Sequence, residues 1–325
     1  MKDAFAVEGI DGENVIQRII RYPNHFNVWC SEQVRMHSTF TLELFNVLQG
    51  LNVNLKDGHP LNVIFEGPHP KWIDLGSLRS LDEALGSCEQ QVNQYASIAD
   101  FYRIGFCRKI RELPRYPETG EIEIMLKSFF EALAEDDPTL SFTEKYYRLR
   151  GGVEYRREGH WVGYTEEFKT KDGGNSRTEY TDLLNQVIDK FDVKTMVDLG
   201  CNTGQYSIIA AKRGVEVLAL DIEDALICEL FEYSLKEELP TTALVSDLKL
   251  YCRQLDKTHI QFCPNVDLFL GYAILHHMVH RADYSFKAFF DEAERFLPRV
   301  YLITFVDYTD FNLSKRLDKK RTGTI

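Results

Sequence analysis

The sequence predicts an α/β protein: a parallel sheet covered on both faces by helices, preceded by a mostly helical N-terminal region that carries one short strand-loop element. Three observations support this. Short, nearly continuous apolar runs recur after residue 190, at Thr195–Leu199, Val215–Leu220, Ala243–Val245, Val266–Leu270 and Val300–Val306. Runs without polar alternation suit strands buried on both faces, the state of parallel sheets. The stretches between several of them carry helical spacing, and the first run opens into a glycine-rich turn, Asp198-Leu199-Gly200-Cys201-Asn202-Thr203-Gly204.

Taken from the N-terminus, Val15 to Arg21 and Phe26 to Leu51 carry apolar residues at helical spacing, and Gly50 fits a helix stop. A turn at Asp57-Gly58-His59-Pro60 leads into the apolar run Leu61–Phe65, and Trp72-Ile73-Asp74-Leu75-Gly76 follows. Further helices are expected from Leu81 to about Leu113 and from Glu121 to Ala134, with Pro114, Pro117 and Gly120 breaking the chain between them. Residues 142 to 174 are charged and aromatic without a clean period. The turn Lys171-Asp172-Gly173-Gly174-Asn175 is the expected boundary between a first domain, 1–174, and a second, 175–325. Tyr180 to Phe191 then reads as an amphipathic helix ahead of the first strand, and helices are expected over Asp224–Glu238 and Ser285–Phe296.

Composition narrows the function classes. Of 325 residues, 38 are basic and 50 acidic, giving a net charge of −12, which disfavours a polyanionic partner such as nucleic acid. Lys315 to Arg321 is a local basic patch, and a solvated helix end explains it more simply than nucleic-acid contact. The seven cysteines are scattered and form no C-x-x-C pair, which points to a reducing, cytoplasmic setting without structural zinc. No apolar run is long enough for a membrane span and no signal segment is evident.

The turn at 198–204 is the expected binding site. A strand, a tight loop and a helix N-terminus together aim backbone N–H groups and the positive end of a helix dipole above the carboxyl edge of the sheet. The next apolar run ends in Asp221, an acid placed where ribose hydroxyls are held. The loop reads D-x-G-x-x-x-G rather than the dinucleotide pattern G-x-G-x-x-G, with Asn202 able to take the positive φ of a missing glycine. Asp198 would be a poor neighbour for a pyrophosphate and suits an ammonium.

On these residues the sequence resembles the class I S-adenosylmethionine (SAM)-dependent methyltransferases, whose sheet is Rossmann-like. The resemblance implies SAM as cofactor, with Asp198, Gly200, Asn202 and Gly204 in the first motif, Asp221 on the ribose and Asp247, after the third strand, near the adenine amine. Trp161 and Tyr164, ahead of the first strand, and Tyr272, after the fourth, are expected to cover cofactor or substrate; packing alone would also account for such aromatics. His277, with His276 beside it, is the candidate base at the end of the fourth strand, and capping or core roles are equally open. His276 and His280 stand four apart, as helical metal ligands can, but no H-E-x-x-H signature or carboxylate pair completes a set, so no metal is expected. The Asn/Asp-Pro-Pro-aromatic motif of nucleobase amino-group methyltransferases is absent, which again disfavours nucleic acid; the expected acceptor is a small molecule or glycan-like compound, methylated at oxygen.

Two further likenesses bear on function. Asp57, Asn62 and Asp74 are spaced like the catalytic and metal loops of small-molecule kinases, implying either a phosphotransferase-like site for Mg-nucleotide or a relic of one, since no glycine-rich nucleotide-covering lobe precedes them. Taken with Ser77, Trp161, Tyr164, the 198–204 turn, Leu275-His276-His277 and Thr304-Phe305-Val306, these residues resemble a bacterial group of methyltransferase-like proteins related to rhizobial host-specific nodulation proteins. The methyltransferase fold usually ends with a further helix and an antiparallel strand pair, whereas a short polar tail follows Asp307. Either another chain supplies that pair, making the protein an oligomer, or the fifth strand stands near an edge; a non-catalytic SAM-binding module is the reading that follows from an incomplete sheet.

Overall fold

The computed structural model describes residues 4–12, 14–55, 60–80, 175–257, 264–281 and 284–305. The helices expected over 81–113 and 121–134, with Asp57, Trp161 and Tyr164, lie outside the described residues.

Five parallel strands form the central sheet: β7 (Thr195–Leu199), β8 (Glu216–Asp221), β9 (Thr241–Val245), β10 (Leu268–Gly271) and β11 (Val300–Ile303), in the spatial order β11-β10-β7-β8-β9. Every residue of β7, β9 and β10 is buried. That is the physical reason for their unbroken apolar runs, because helices pack on both faces and leave no solvent side for alternation. The chain starts in the middle of the sheet, winds outward through β8 and β9, then returns to the other side of β7 for β10 and β11. The order therefore reverses between β7 and β10, and a crevice opens at the carboxyl ends of those two strands.

The helices follow from local signals. α2 (Asn175–Phe191) precedes β7 and buries Leu184 and Ile188, one turn apart. α3 (Gln205–Ala211) follows the glycine turn, and α4 (Asp224–Lys236) buries Leu226, Ile227, Leu230, Phe231 and Ser234 along one face. α5 (Leu248–Lys257) has no counterpart among the sequence expectations; Asp247 caps it, its carboxylate accepting the Leu250 N–H at 2.6 Å. α6 (Leu275–Arg281) carries the histidine pair, and α7 (Phe286–Ala293) is capped by Ser285, whose hydroxyl accepts the Ala288 N–H. The strand expected over Val300–Val306 ends at Ile303.

In the N-terminal segment, α1 (Ser31–Gly50) is the long helix read from the sequence, but it starts after a separate 3-10 turn at Phe26–Val28 rather than at Phe26. Val34, Phe40, Leu44 and Leu48 form its buried stripe. The helical reading of Val15–Arg21 is overturned: β1 (Val7–Asp11) and β2 (Asn14–Gln17) form an antiparallel hairpin. Asp11-Gly12, with Gly12 at φ +60°, is a hairpin turn signal that outweighs the periodicity of a run this short. Two further pairs follow, β3 (Val53–Leu55) with β6 (Leu78–Ser80) and β4 (Val63–Glu66) with β5 (His69–Trp72).

This segment packs directly on the sheet layer, and one hydrophobic core runs through both. Phe65 of β4 meets Phe231 of α4 edge-on, with ring centroids 5.8 Å apart. Tyr22 donates its hydroxyl to the Glu216 carbonyl, Arg21 pairs with the Glu216 carboxylate at 2.9 Å, and the Gly67 N–H donates to the Thr242 hydroxyl. Asn24 organises the segment internally. Its amide donates to the Tyr22 and Phe65 carbonyls and accepts from the Trp29 indole and the Phe65 N–H, so a fully buried polar side chain is satisfied on every side.

Candidate cofactor and acceptor site

The turn after β7 takes three positive φ values in five residues: Gly200 at +71°, Asn202 at +53° and Gly204 at +78°. Gly204 stands at the helix N-terminus in a left-handed conformation, where a Cβ would also come within 2.3 Å of Leu230. At Gly200 a Cβ would come within 2.8 Å of the Ile274 side chain, so the loop after β10 rests directly on the first glycine. These two positions need glycine for space as well as for conformation.

A hydrogen-bond network ties the turn to the neighbouring strand end. The N–H groups of Gly200 and Cys201 both donate to the Leu220 carbonyl, at 2.8 and 3.1 Å. Asn202 donates its N–H to Asp221 Oδ2 at 2.9 Å, and Asp221 Oδ1 accepts the Glu223 N–H at 3.1 Å. The Asp221 carbonyl accepts from Ser246 at the end of β9. Asp221 is thus fixed by two backbone donors, one on each oxygen, and a carboxylate oxygen can accept more than one bond. Burial pushes its carboxyl above the ordinary carboxylate range, while the Asn202 and Glu223 N–H groups oppose that shift.

Asp198 lies deeper. Its side chain is buried beneath the turn and accepts the Ser207 hydroxyl at 2.6 Å. Burial raises its carboxyl to about 6, with the Asp221 charge adding and the Ser207 bond opposing. A positively charged ligand group nearby would offset the cost of ionising Asp198.

At the end of β10, Tyr272 is half-buried and donates its hydroxyl to the Tyr180 carbonyl at 3.2 Å. His276 and His277 occupy the first turn of α6 with ring centroids 4.0 Å apart, and the His277 N–H closes onto the Ile274 carbonyl. Asp247 is exposed at the end of β9, with one carboxylate oxygen occupied by its helix cap. The structure therefore gathers Asp198, Gly200, Asn202, Gly204, Asp221, Asp247, Tyr272, His276 and His277 along one edge of the sheet. Among the described residues there is no group of three His, Cys, Asp or Glu side chains able to hold a metal ion.

Three participants escaped sequence reasoning. Ser207 follows the last glycine of the turn by three residues, the spacing that lets a helix residue reach back under it. Tyr206 and Tyr180 join Tyr272 in one aromatic group, and Tyr206 beside the glycine turn was the available signal.

The kinase-like residues are separate from this edge. β4 and β5 pair with Val63 opposite Trp72, and the Ile73 N–H donates to the Asn62 carbonyl at 2.8 Å. The open end of the hairpin therefore carries Asn62 paired with Ile73, and Asp74 is the next residue in the chain. The Asp74 carbonyl accepts the Trp72 indole N–H at 2.6 Å and the Ser77 hydroxyl at 2.8 Å, which holds the turn beyond β5 in place.

No family model and no curated protein matches the chain. Among solved structures it is similar to the bifunctional kinase-methyltransferase WbdD, at 16% identity over 51% of this chain and 36% of that one, with a TM-score of 0.36. A second WbdD structure, in complex with the kinase inhibitor LY294002, matches at 16% identity over 41% of this chain and 30% of that one, with a TM-score of 0.35. A high-resolution WbdD structure gives 17% identity, coverages of 49% and 36% and a TM-score of 0.34. The chain spans about a third of the length of these structures.

Proposed function

We propose that the chain is a SAM-dependent methyltransferase acting on a small-molecule or glycan-like acceptor at oxygen. The observation that carries this reading is Asp221 at the end of β8, locked by the Asn202 N–H to the glycine turn beside the β7/β10 switch point. The donor set fits SAM: Asp221 offers carboxylate oxygens to a vicinal diol, and the buried Asp198 supplies negative charge beneath a turn that would hold an ammonium-bearing end. When bound, SAM supplies an electrophilic methyl group on a sulfonium.

The chain's own residues then bind, orient and take up a proton. Asp221 fixes the ribose end through hydroxyl donors, and Asp198 offsets positive charge in a site where burial strengthens the attraction. Holding an acceptor oxygen in line with the methyl is the larger part of the catalysis. An imidazole nitrogen of His277 accepts the proton that the acceptor hydroxyl loses as its bond to carbon forms. The likeness to the nodulation-related group belongs to this reading and adds architecture rather than an acceptor.

Calorimetric titration with SAM and then with S-adenosylhomocysteine tests the reading without knowledge of the acceptor. Micromolar affinity, about −8 kcal/mol, is expected, and it is lost in Asp221→Ala. A folded protein that binds neither compound would overturn it.

A second reading rests on the β4–β5 hairpin, whose open end carries Asn62, with Asp74 one residue beyond its paired partner Ile73, the residue types that hold metal in a kinase. On that reading the N-terminal segment binds Mg-nucleotide. ATP affinity that appears only with magnesium, and disappears in Asp74→Ala, is the supporting result; ATP binding indifferent to magnesium would count against it.

A further inference from the structure

Three tyrosines from three elements converge beside the switch point. Tyr272 follows β10, Tyr206 lies in the first turn of α3, and Tyr180 lies near the start of α2. The ring of Tyr272 is central: its centroid is 4.9 Å from that of Tyr180, tilted by 45°, and 4.8 Å from that of Tyr206, at 77°. Rings at such angles form a corner rather than a stack, and Tyr180 keeps 36% of its surface exposed at the outer side. Packing three phenols together beside the switch point, instead of aliphatic residues, gathers three π systems in one place, with Tyr180 at the accessible side.

The electrostatic surroundings have the same sign. Asp198 is close enough for its charge to act on Tyr272, and Asp221 acts on Asp198 in turn. Burial, with the neighbouring Tyr206 and Tyr180, holds the Tyr272 phenol well above its ordinary range, so the ring stays neutral at working pH. Its hydroxyl is committed to the Tyr180 carbonyl, which fixes the ring. Neutral π faces beside a buried carboxylate select one chemistry, a diffuse cation with apolar substituents, because an onium group is attracted by both and is cheap to desolvate.

We infer that Tyr180, Tyr206 and Tyr272 form a seat for an onium cation at the mouth of the cofactor crevice. Two sources carry that chemistry: the sulfonium of SAM, in which case the inference rests on the reading above, and a substituted ammonium on the acceptor. The first would make the aromatic group the element that distinguishes SAM from its neutral-sulfur product. The second would restrict acceptors to those bearing an amino or alkylammonium group near the methylated position.

The test compares wild type with Tyr206→Leu and Tyr272→Leu, which remove the π faces, and with Tyr206→Phe and Tyr272→Phe, which keep them. Circular dichroism checks folding, and the exposed Tyr180→Leu replaces any leucine variant that fails to fold. Affinities for SAM and S-adenosylhomocysteine are measured by calorimetry in each. A sulfonium seat predicts that the leucine variants lose about fivefold to thirtyfold in SAM affinity relative to S-adenosylhomocysteine, while the phenylalanine variants keep the wild-type ratio. An acceptor seat predicts an unchanged ratio, with tetramethylammonium binding to the S-adenosylhomocysteine complex that the leucine variants lose. If wild type binds neither nucleoside, the methyltransferase reading fails by itself, and tetramethylammonium titration of the protein alone still decides the seat. Unchanged ratios together with no tyrosine-dependent tetramethylammonium binding overturn the inference.

Discussion

Asp198 is held under the glycine turn with a carboxyl raised to about 6 by burial, against an ordinary value of 3.8. The folded state therefore keeps a proton that the unfolded chain has released between about pH 4 and pH 6. Stability falls as pH rises through that window, and above it the buried charge costs the free protein about 3 kcal/mol. Asp198→Asn should accordingly raise the melting temperature at pH 8 and leave it nearly unchanged at pH 4, as thermal denaturation at the two values will show. A cationic ligand reverses the balance, since it needs the charge that the fold resists. SAM affinity should weaken as pH drops through about 6, and a flat profile from pH 5 to 8 would remove Asp198 from the binding site. His277→Ala belongs to the same scale: turnover should drop by about a hundredfold or more, with SAM affinity unchanged. Turnover unaffected in that variant would retire His277 as the base. Asp198 and His277 could be named as candidates from the sequence because candidate chemistry depends on type and spacing. Ser207 and Tyr180 could not, because their roles come from where α3 and α2 place them in space.

The start of α1 depends on a side chain from another helix. Asp224, at the first turn of α4, accepts the Ser31 N–H at 2.9 Å and the Ser31 hydroxyl at 2.7 Å, so a carboxylate of one helix caps the N-terminus of another. Asp224→Ala should cost about 1–3 kcal/mol, read as a lower urea midpoint with little change in slope. Gly204→Ala is expected to be at least as damaging. It forces a Cβ into the left-handed region at φ +78° and onto the buried Leu230, and far-ultraviolet circular dichroism melts should show the loss before any ligand is added. At this scale the sequence was most legible in the sheet. Strands buried on both faces declare themselves as apolar runs, and all five stand where such runs occur. The N-terminal hairpin β1–β2 was misread because four residues sample too little of a helical period to exclude a strand. α5 went unread although Leu248, Tyr251 and Cys252 stand at helical spacing and are buried, because its cap, Asp247, reads equally well as an acid for a ligand.

Across the whole molecule, the N-terminal segment and the sheet share one core. Phe231 of α4 is buried in that core and meets Phe65 of the β4–β5 hairpin edge-on. Phe231→Ala should cost about 3–5 kcal/mol. Amide exchange should show α1 and β8 losing protection together, and protection lost in only one of them would show that the core is not cooperative. The boundary expected at residue 174 rests on the turn signal at 171–175, and a local turn carries no information about the pairing of Arg21 with Glu216 or of Gly67 with Thr242. Those contacts join residues that periodicity treats independently.

The reversal of strand order between β7 and β10 also governs when the crevice can exist. β7 and β10 are hydrogen-bonded neighbours, yet β8, β9 and the helices α3 to α5 lie between them in the chain. Parallel pairing over so long a connection closes an entropically expensive loop and is slow. During synthesis the glycine turn and Asp221 emerge well before β10 is available to wall the other side. On the methyltransferase reading, SAM therefore meets its complete site only late in folding, and any stabilisation by it should appear in the unfolding rate and not in the initial collapse.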